Sequence, residues 1–224
     1  VTIPPNGQAR ITVAQSQATQ SVQQFAAGKI AVINAGFFDP SNRKTASYVT
    51  IAGAVVADPR QNERLMQNPK LKPYLNQIFN RSEFRRYQCG QQVNYAIALH
   101  NAPVPQGCEL VDAVGGGPQL LPKLTAVAEG FVDPNTDRDA IGMNQRNARS
   151  AIGIKPDGTV LLVLAAQKPT GVSLPELAKA LQELGAESAL NLDGGSSSAL
   201  VYRGKAIYGK VEEPRPVKSV VIVE

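Results

Sequence analysis

The run Leu190-Asn191-Leu192-Asp193-Gly194-Gly195-Ser196-Ser197-Ser198 constrains the fold of this chain more than any other. A short apolar run bounded by glycine reads as a buried strand, here Ser188 to Leu192, and it ends on a single carboxylate. Gly194 and Gly195 let a ligand approach the main chain, while the hydroxyls of Ser196, Ser197 and Ser198 supply donors and acceptors around it. The result is a polar cradle holding one fixed negative charge. The alternative is a plain turn in which Asp193 caps backbone N–H groups.

Three other segments share this character. Ile30 to Asp39 is an apolar run ending in Asn34, Gly36, two aromatics and a carboxylate. Val114 to Leu121 enters a strand through Gly115, Gly116 and Gly117. Ala148 to Ile154 sets Arg149 directly before an apolar run. In order and spacing the four segments resemble the phosphodiester glycosidase family, over a region from about Ile30 to the C-terminus. The chain departs from the family pattern in Ala35 for the first glycine of Asn-Gly-Gly-Phe, Ser150 for the threonine of Arg-Thr-Ala, and Ser196 for a third glycine. Each replacement is small for small, which preserves the backbone shape. The growth-factor-like module and membrane anchor of the animal enzyme have no counterpart here, so a stand-alone microbial domain is expected.

The resemblance implies a site in which Asp193, Arg149 and Asp39 are catalytic. Asn34, Gly36, Phe38, Gly116, Gly117, Gly194, Gly195, Ser196 and Ser197 would bind substrate, and no metal is required. Its substrate is a sugar 1-phosphodiester on cell-envelope or extracellular glycoconjugates. A phosphate monoester, with a second pKa near ~6, leaves without full protonation, so strong general-acid help is unnecessary. Positive charge developing at the anomeric carbon still needs an opposing group, for which Asp193 is suited. Arg149 offers a planar fork for phosphate, with the N–H groups of Gly116, Gly117, Gly194 and Gly195 as a supporting nest. Asn34 would meet sugar hydroxyls, and Asp39 would activate water or steady the ring. Phe37 and Phe38 read as core, with a sugar-stacking platform as the alternative. The rival function is a non-catalytic carbohydrate-binding or envelope structural domain on the same scaffold. Distance discriminates: an Asp193 carboxylate and an Arg149 guanidinium that open into one pocket favour the enzyme, whereas separate faces would sink it.

Bulk properties suit one exported domain over residues 1–224. A chain of 224 residues with 43% hydrophobic content buries roughly 70% of its unfolded surface without metal staples. No apolar stretch approaches the roughly 18–20 residues of a membrane span. The first residue, Val1, suggests that a signal peptide or anchor has been removed, which places the protein outside the cell or in a periplasm. Cys89 and Cys108 are expected to pair, stabilising the fold by about 3 kcal/mol in the chain-entropy model. His100 is the only histidine; it reads as a structural residue at a strand end, which leaves a Ser-His-Asp triad unsupported. The net charge of +5 suits phosphodiesters or anionic glycans, whereas no nucleic-acid motif is present.

Periodicity predicts an α+β fold, a mixed, sheet-rich core with helices packed on it. Ala18 to Ala27 reads as a helix ended by Gly28, feeding a strand Lys29 to Ile33. Tyr48 to Val56 forms two strands about Ala52-Gly53, and Lys155-Pro156-Asp157-Gly158 turns a hairpin between Ala151–Ile154 and Thr159–Ala165. Ser173 and Glu176 make a capping box, Leu174, Leu177, Ala178, Leu181 and Leu184 an apolar stripe, and Gly185 a helix stop. Ser198 to Tyr208 folds back at Gly204-Lys205, Val211 to Val217 is a loop, and Ser219 to Val223 is the last strand. A polar, basic helical insertion is expected over about 61–86, with Arg64, Lys70, Lys72, Arg81, Arg85 and Arg86 facing water. Asp133, Asn135, Asp137 and Asp139 alternate as the first ligands of a calcium loop do. Arg138 and Asn144 exclude an EF-hand, leaving a looser calcium site or a solvated acidic loop.

Overall fold

A computed structural model describes residues 1–5, 8–209 and 215–224. In chain order the strands and helices are β1 (Thr2–Ile3), β2 (Ile11–Gln20), α1 (Val22–Phe25), β3 (Ala31–Asn34), β4 (Val49–Ile51), β5 (Ala54–Ala57), α2 (Glu63–Gln67) and α3 (Leu75–Ile78). Next come β6 (Ser82–Cys89), β7 (Gln92–Leu99), β8 (Cys108–Gly115), β9 (Gln119–Leu121), β10 (Val132–Asp133), β11 (Arg138–Asp139), β12 (Arg149–Ile154) and β13 (Val160–Ala165). The chain closes with α4 (Leu174–Glu183), β14 (Ser188–Asn191), β15 (Leu200–Tyr202), β16 (Lys205–Tyr208) and β17 (Val217–Val223).

The strands form three 5-stranded sheets, ordered β1-β13-β12-β14-β9, β16-β15-β3-β17-β2 and β5-β4-β8-β6-β7, and a small β10-β11 ribbon. Strand content of 41% against 15% helix makes the fold mixed α+β and sheet-rich. One apolar core joins all three sheets: Ile152 and Leu190 come from the first, Ile33 and Val221 from the second, Val49, Phe84 and Val114 from the third. Alternation along the strands divides the faces. On β12, Ile152 and Ile154 enter the central core while Ala151 faces α4; on β3, Ile33 enters it while Val32 faces α1. The outer layers are therefore α4 on the first sheet and α1 on the second.

Helix α4 follows its sequence signals. Ser173 and Glu176 complete the capping box, and Gly185 has φ +87°. Leu174, Leu177 and Leu181 are fully buried, each contributing about 2 kcal/mol by leaving water. Leu184, expected in the stripe, instead caps the helix C-terminus and is exposed. The hairpins at Ala52-Gly53 and at 155–158 form as expected, and the last hairpin turns at Arg203-Gly204.

The helix expected over Ala18 to Ala27 is corrected to a four-residue α1 capped by Ser21. Ala18, Thr19 and Gln20 stay in β2, which pairs with β17 at Gln20 and again from Gln15 back to Ile11, a tertiary constraint that overrides alanine's helical preference. The basic segment is corrected as well. Helical turns occupy residues 59–78, but Ser82 to Arg86 belong to β6 in the middle of a sheet. Arg85 is 2% exposed; it bonds Glu83 and the carbonyls of Leu99, His100 and Ala102. Arg86 pairs with Asp112 at 2.7 Å. Satisfied cations of this kind tolerate burial, which charge alone does not reveal. His100 directly follows β7, stacked on Tyr48 and 3.0 Å from Glu83. Cys89 and Cys108 stand opposite each other on β6 and β8 and form the expected disulfide. The loop expected over Val211 to Val217 falls largely outside the described residues, and β17 begins at Val217, two residues earlier than expected.

Candidate active site

Asn34 ties the strand ends together. It is fully buried, and its Nδ2 donates to the Asp193 carbonyl at 2.6 Å. Its Oδ1 accepts from the Ser150 hydroxyl at 2.7 Å and from the Ala199 N–H at 3.0 Å. The Asp193 N–H donates to the Ala35 carbonyl at 2.8 Å. One amide thus clamps the end of β3, the start of β12 and both sides of the loop after β14. Its place corrects the expectation that Asn34 meets sugar hydroxyls, since its polar atoms are engaged inside the protein.

The clamp leaves the Asp193 carboxylate fixed and thinly compensated. Its Oδ1 accepts the Gly194 N–H at 2.9 Å, and no described cation pairs with it. Burial pushes its pKa up to about 6, against the downward pull of the Ser197 hydroxyl and the Gly194 N–H. The side chain therefore titrates just below neutrality and is mostly ionised at pH 7.

Arg149 lies directly behind this loop. A Cβ added at Gly194 would come 3.7 Å from Arg149 Cδ. The guanidinium does not face outward as a fork for phosphate. Its Nε donates to Val172 O, Nη1 to Ile141 O at 3.0 Å, and Nη2 to Gly142 O at 2.6 Å and Gln145 O at 2.9 Å. With five N–H groups in all, too few remain for bidentate recognition. Desolvation lowers its pKa, with Asp139 as the opposing charge. The expected phosphate contact is replaced by bonds to carbonyls of residues 141–145 and 172.

The glycine nest is corrected on similar grounds. Gly116 N–H bonds Ser82 O, Gly117 N–H bonds Asn191 O, Gly194 N–H bonds Asp193, and Gly195 N–H bonds Ala148 O. None is left for a ligand. Gly36 is a packing position: its N–H bonds Ser219 Oγ, and a Cβ there would meet Ser47 and Gly115 at 3.0–3.1 Å. Phe37 packs near Phe131, and Phe38 bridges to Thr45. Asp39 turns to Arg64 at 2.8 Å and accepts the Ser41 N–H. Burial raises its pKa, but those two partners more than offset the rise and leave it below the usual range. No hydrogen bond among the described residues joins Asp39 to the Asp193 loop.

The outer side of that loop borders a cleft of ≈ 640 Å³ lined by Gly195, Ser196, Ser198, Lys168, Tyr208 and Arg215, among others. Ser198 Oγ is buried there without a hydrogen-bond partner in the described structure. Neither Asp193 nor Arg149 lines this cleft. Lys168 and Arg215 escaped the sequence reading. They lie in separate loops with no local motif, and only folding brings them to the serines.

The alternating acids make a hairpin. Asp133 accepts from the Tyr74 hydroxyl at 2.7 Å and from the Asn135 N–H, and Asp139 from the N–H groups of Ile141 and Met143. Asp137 has φ +53° in the turn between them. No group of three His, Cys, Asp or Glu side chains suited to a metal occurs among the described residues. Asp139 braces the segment whose carbonyls Arg149 holds.

A family model described as phosphodiester glycosidase matches residues 27–224. No curated protein sequence matches the chain. Among solved structures, it is similar to the catalytic domain of zebrafish N-acetylglucosamine-1-phosphodiester alpha-N-acetylglucosaminidase, described as auto-inhibited by its pro-peptide: 17% identity, TM-score 0.70, 96% of this chain and 72% of that one. It is also similar to a hypothetical protein from Synechocystis: 19% identity, TM-score 0.67, 99% of this chain but 58% of that one. A Burkholderia pseudomallei protein described as exported has 19% identity and a TM-score of 0.62 over 99% of this chain and 72% of its own. This chain thus spans under two thirds of the Synechocystis protein, and at these identities the likenesses are of fold.

Proposed function

The chain belongs to the phosphodiester glycosidase family, and we propose that it hydrolyses the glycosidic bond of a sugar 1-phosphodiester, with Asp193 as the reacting carboxylate. One observation carries this reading: a carboxylate locked at its main chain on both sides but without a cationic partner among the described residues. Evolution of stability alone would pair or delete such a charge, whereas a transition state with positive charge at the anomeric carbon uses it. The lack of a second carboxylate at the loop fits a leaving group that needs no proton. Water adds to the anomeric carbon, the C–O bond to phosphate breaks, and the products are free sugar and a phosphate monoester.

Phosphate recognition falls to Lys168 and Arg215, with the hydroxyls of Ser196 and Ser198, in the neighbouring cleft. Arg149 acts as a positioning residue that fixes the 141–145 segment against Gly194. Asp39 has no part in the chemistry. The disulfide and the exported relative support a location outside the cell or in a periplasm, and no helix of the described residues is long and apolar enough to cross a membrane.

The competing reading, a non-catalytic carbohydrate-binding domain, is favoured by the absence of Asp193 from the lining of that cleft. A screen of sugar nucleotides and sugar 1-phosphodiesters separates the two. Release of free sugar, abolished by Asp193→Asn, supports the glycosidase. Sugar 1-phosphate as product, or no turnover of any member, refutes it.

A further inference from the structure

A second cleft, of ≈ 450 Å³, lies where β2 and β17 meet the β4–β5 hairpin and the 44–62 region. Its origin is an irregular ladder. Ser219 pairs with Gln15 and Val217 with Gln20, so Ser16 to Thr19 bulge opposite the single residue Lys218. Bulges re-aim side chains and free backbone groups from pairing. Here the bulge gives Lys218 Nζ one acceptor, the Gln17 carbonyl, and Gln15 Oε1 is left buried with no partner.

Lys218 is unusual for a lysine in being only 9% exposed, and among the described residues it makes no ion pair. Burial pushes its ammonium below the ordinary lysine range. A desolvated cation with donors to spare lines a cleft of the size that ligand sites occupy, about 300–1,000 Å³. We propose that this cleft is a second carbohydrate site, separate from the Asp193 loop, that takes an acidic sugar by its carboxylate on Lys218 and a hydroxyl or N–H on Gln15.

The charge balance selects a monoanion. Lys44, also in the lining, pairs with Glu63 at 2.5 Å, and Asp58 pairs with Arg60 at 2.9 Å. Lys218 is left as the one uncompensated charge among the lining side chains, which matches a carboxylate better than a phosphate dianion. The walls select a sugar ring. The amides of Gln15, Gln17 and Gln61 offer partners for hydroxyls, and Ile51, Val56 and Ala57 offer an apolar strip for ring C–H groups. The site does not depend on the chemistry proposed for Asp193.

The test is a titration of the full chain with glucuronate, glucose, acetate and inorganic phosphate, followed by the amide NMR shifts of Ser16, Gln17 and Lys218. Glucuronate should shift these signals at lower concentration than the other three. Lys218→Met should weaken glucuronate by about tenfold or more, the worth of a hydrogen bond to a charged group. This variant should melt no lower than wild type, because a thioether replaces an unpaired buried charge. Gln15→Met should weaken binding while leaving the charge in place, and so reads the same site if the lysine variant proves unstable. Asp193→Asn should bind glucuronate as wild type does, whatever its effect on turnover. Equal response to glucuronate and to glucose, acetate or phosphate, no shift with any of them, or undiminished binding by both cleft variants would overturn the proposal.

Discussion

Gly116-Gly117 and Gly194-Gly195 are two glycine pairs at strand ends, and the structure uses them in opposite ways. A Cβ on Gly116 would lie 2.6 Å from the Asn191 carbonyl; one on Gly117 would lie 2.7 Å from both Glu129 Oε2 and the Phe131 ring. Those glycines let two strands and a buried glutamate approach, and Glu129 is itself satisfied by Ser82 and Gln119. A Cβ on Gly194 would come 3.2 Å from the Ala148 carbonyl and 3.7 Å from Arg149 Cδ, close but short of a collision, and one on Gly195 meets nothing within 4 Å. The first pair is structure. The second leaves room beside an under-compensated carboxylate. A glycine needed for packing is recognised by what its missing side chain would strike.

Variants can break or sharpen this contrast. The largest effect is expected from Asp193→Asn, which keeps the shape and removes the charge. Turnover should fall by about three orders of magnitude or more, with substrate binding little changed. Stability should move the other way. Because the folded pKa is raised to about 6, the contribution of Asp193 to stability is full below its unfolded value near 3.8 and is lost as pH rises through 6. At pH 7 the charge therefore costs up to about 3 kcal/mol, and the amide recovers part of it. Thermal melts should show the variant equal to or above wild type at pH 7, the gain shrinking near pH 4.5. Wild-type turnover should decline as pH drops through about 6. A variant that is both active and destabilised would return Asp193 to the role of a turn former.

Next in size is Gly117→Ala. Its φ of +119° and the collisions with Glu129 and Phe131 should cost about 3 kcal/mol or more, seen as lost soluble yield or a large drop in denaturant midpoint. Arg149→Lys follows. An ammonium cannot span the carbonyls of Ile141, Gly142, Gln145 and Val172, so about 2 kcal/mol of stability should go. Activity should fall further than the fraction folded, through kcat with KM largely kept, because the segment held against Gly194 loses its anchor. A raised KM at full stability would restore the phosphate contact that the structure removes. The smallest effect belongs to Gly195→Ala, where only φ +58° opposes the change, at about 1 kcal/mol. If Gly195→Ala failed to fold while Gly117→Ala did not, the contrast would be wrong.

Part of this was legible along the chain. Ser173, Glu176 and Gly185 bound their helix where expected, Pro156-Asp157-Gly158 turns its hairpin, and Cys89 pairs with Cys108. The Asp193 loop follows its strand as predicted. In the first two cases the deciding interactions lie within about four residues, so a local pattern contains its own cause. Ala18 to Ala27 carried a local helical preference too, but the pairing of Gln20 and of Ile11 to Gln15 with β17 holds the first part of that stretch in a bulged strand.

What the sequence determined by itself is the family, the sheet-rich class, the local turns and caps, and the carboxylate that ends β14. Tertiary structure alone decided which polar groups remain available. Asn34, Arg149 and the glycine N–H groups look free in the sequence and are engaged in the fold. Lys168, Arg215 and Lys218 carry no motif and yet line the clefts. The physical reason is that an N–H serves a ligand only if it is not already donated to a carbonyl, whereas a lysine ammonium with one of its three N–H groups donated keeps two. That condition depends on how distant segments pack, which residue type and spacing do not specify.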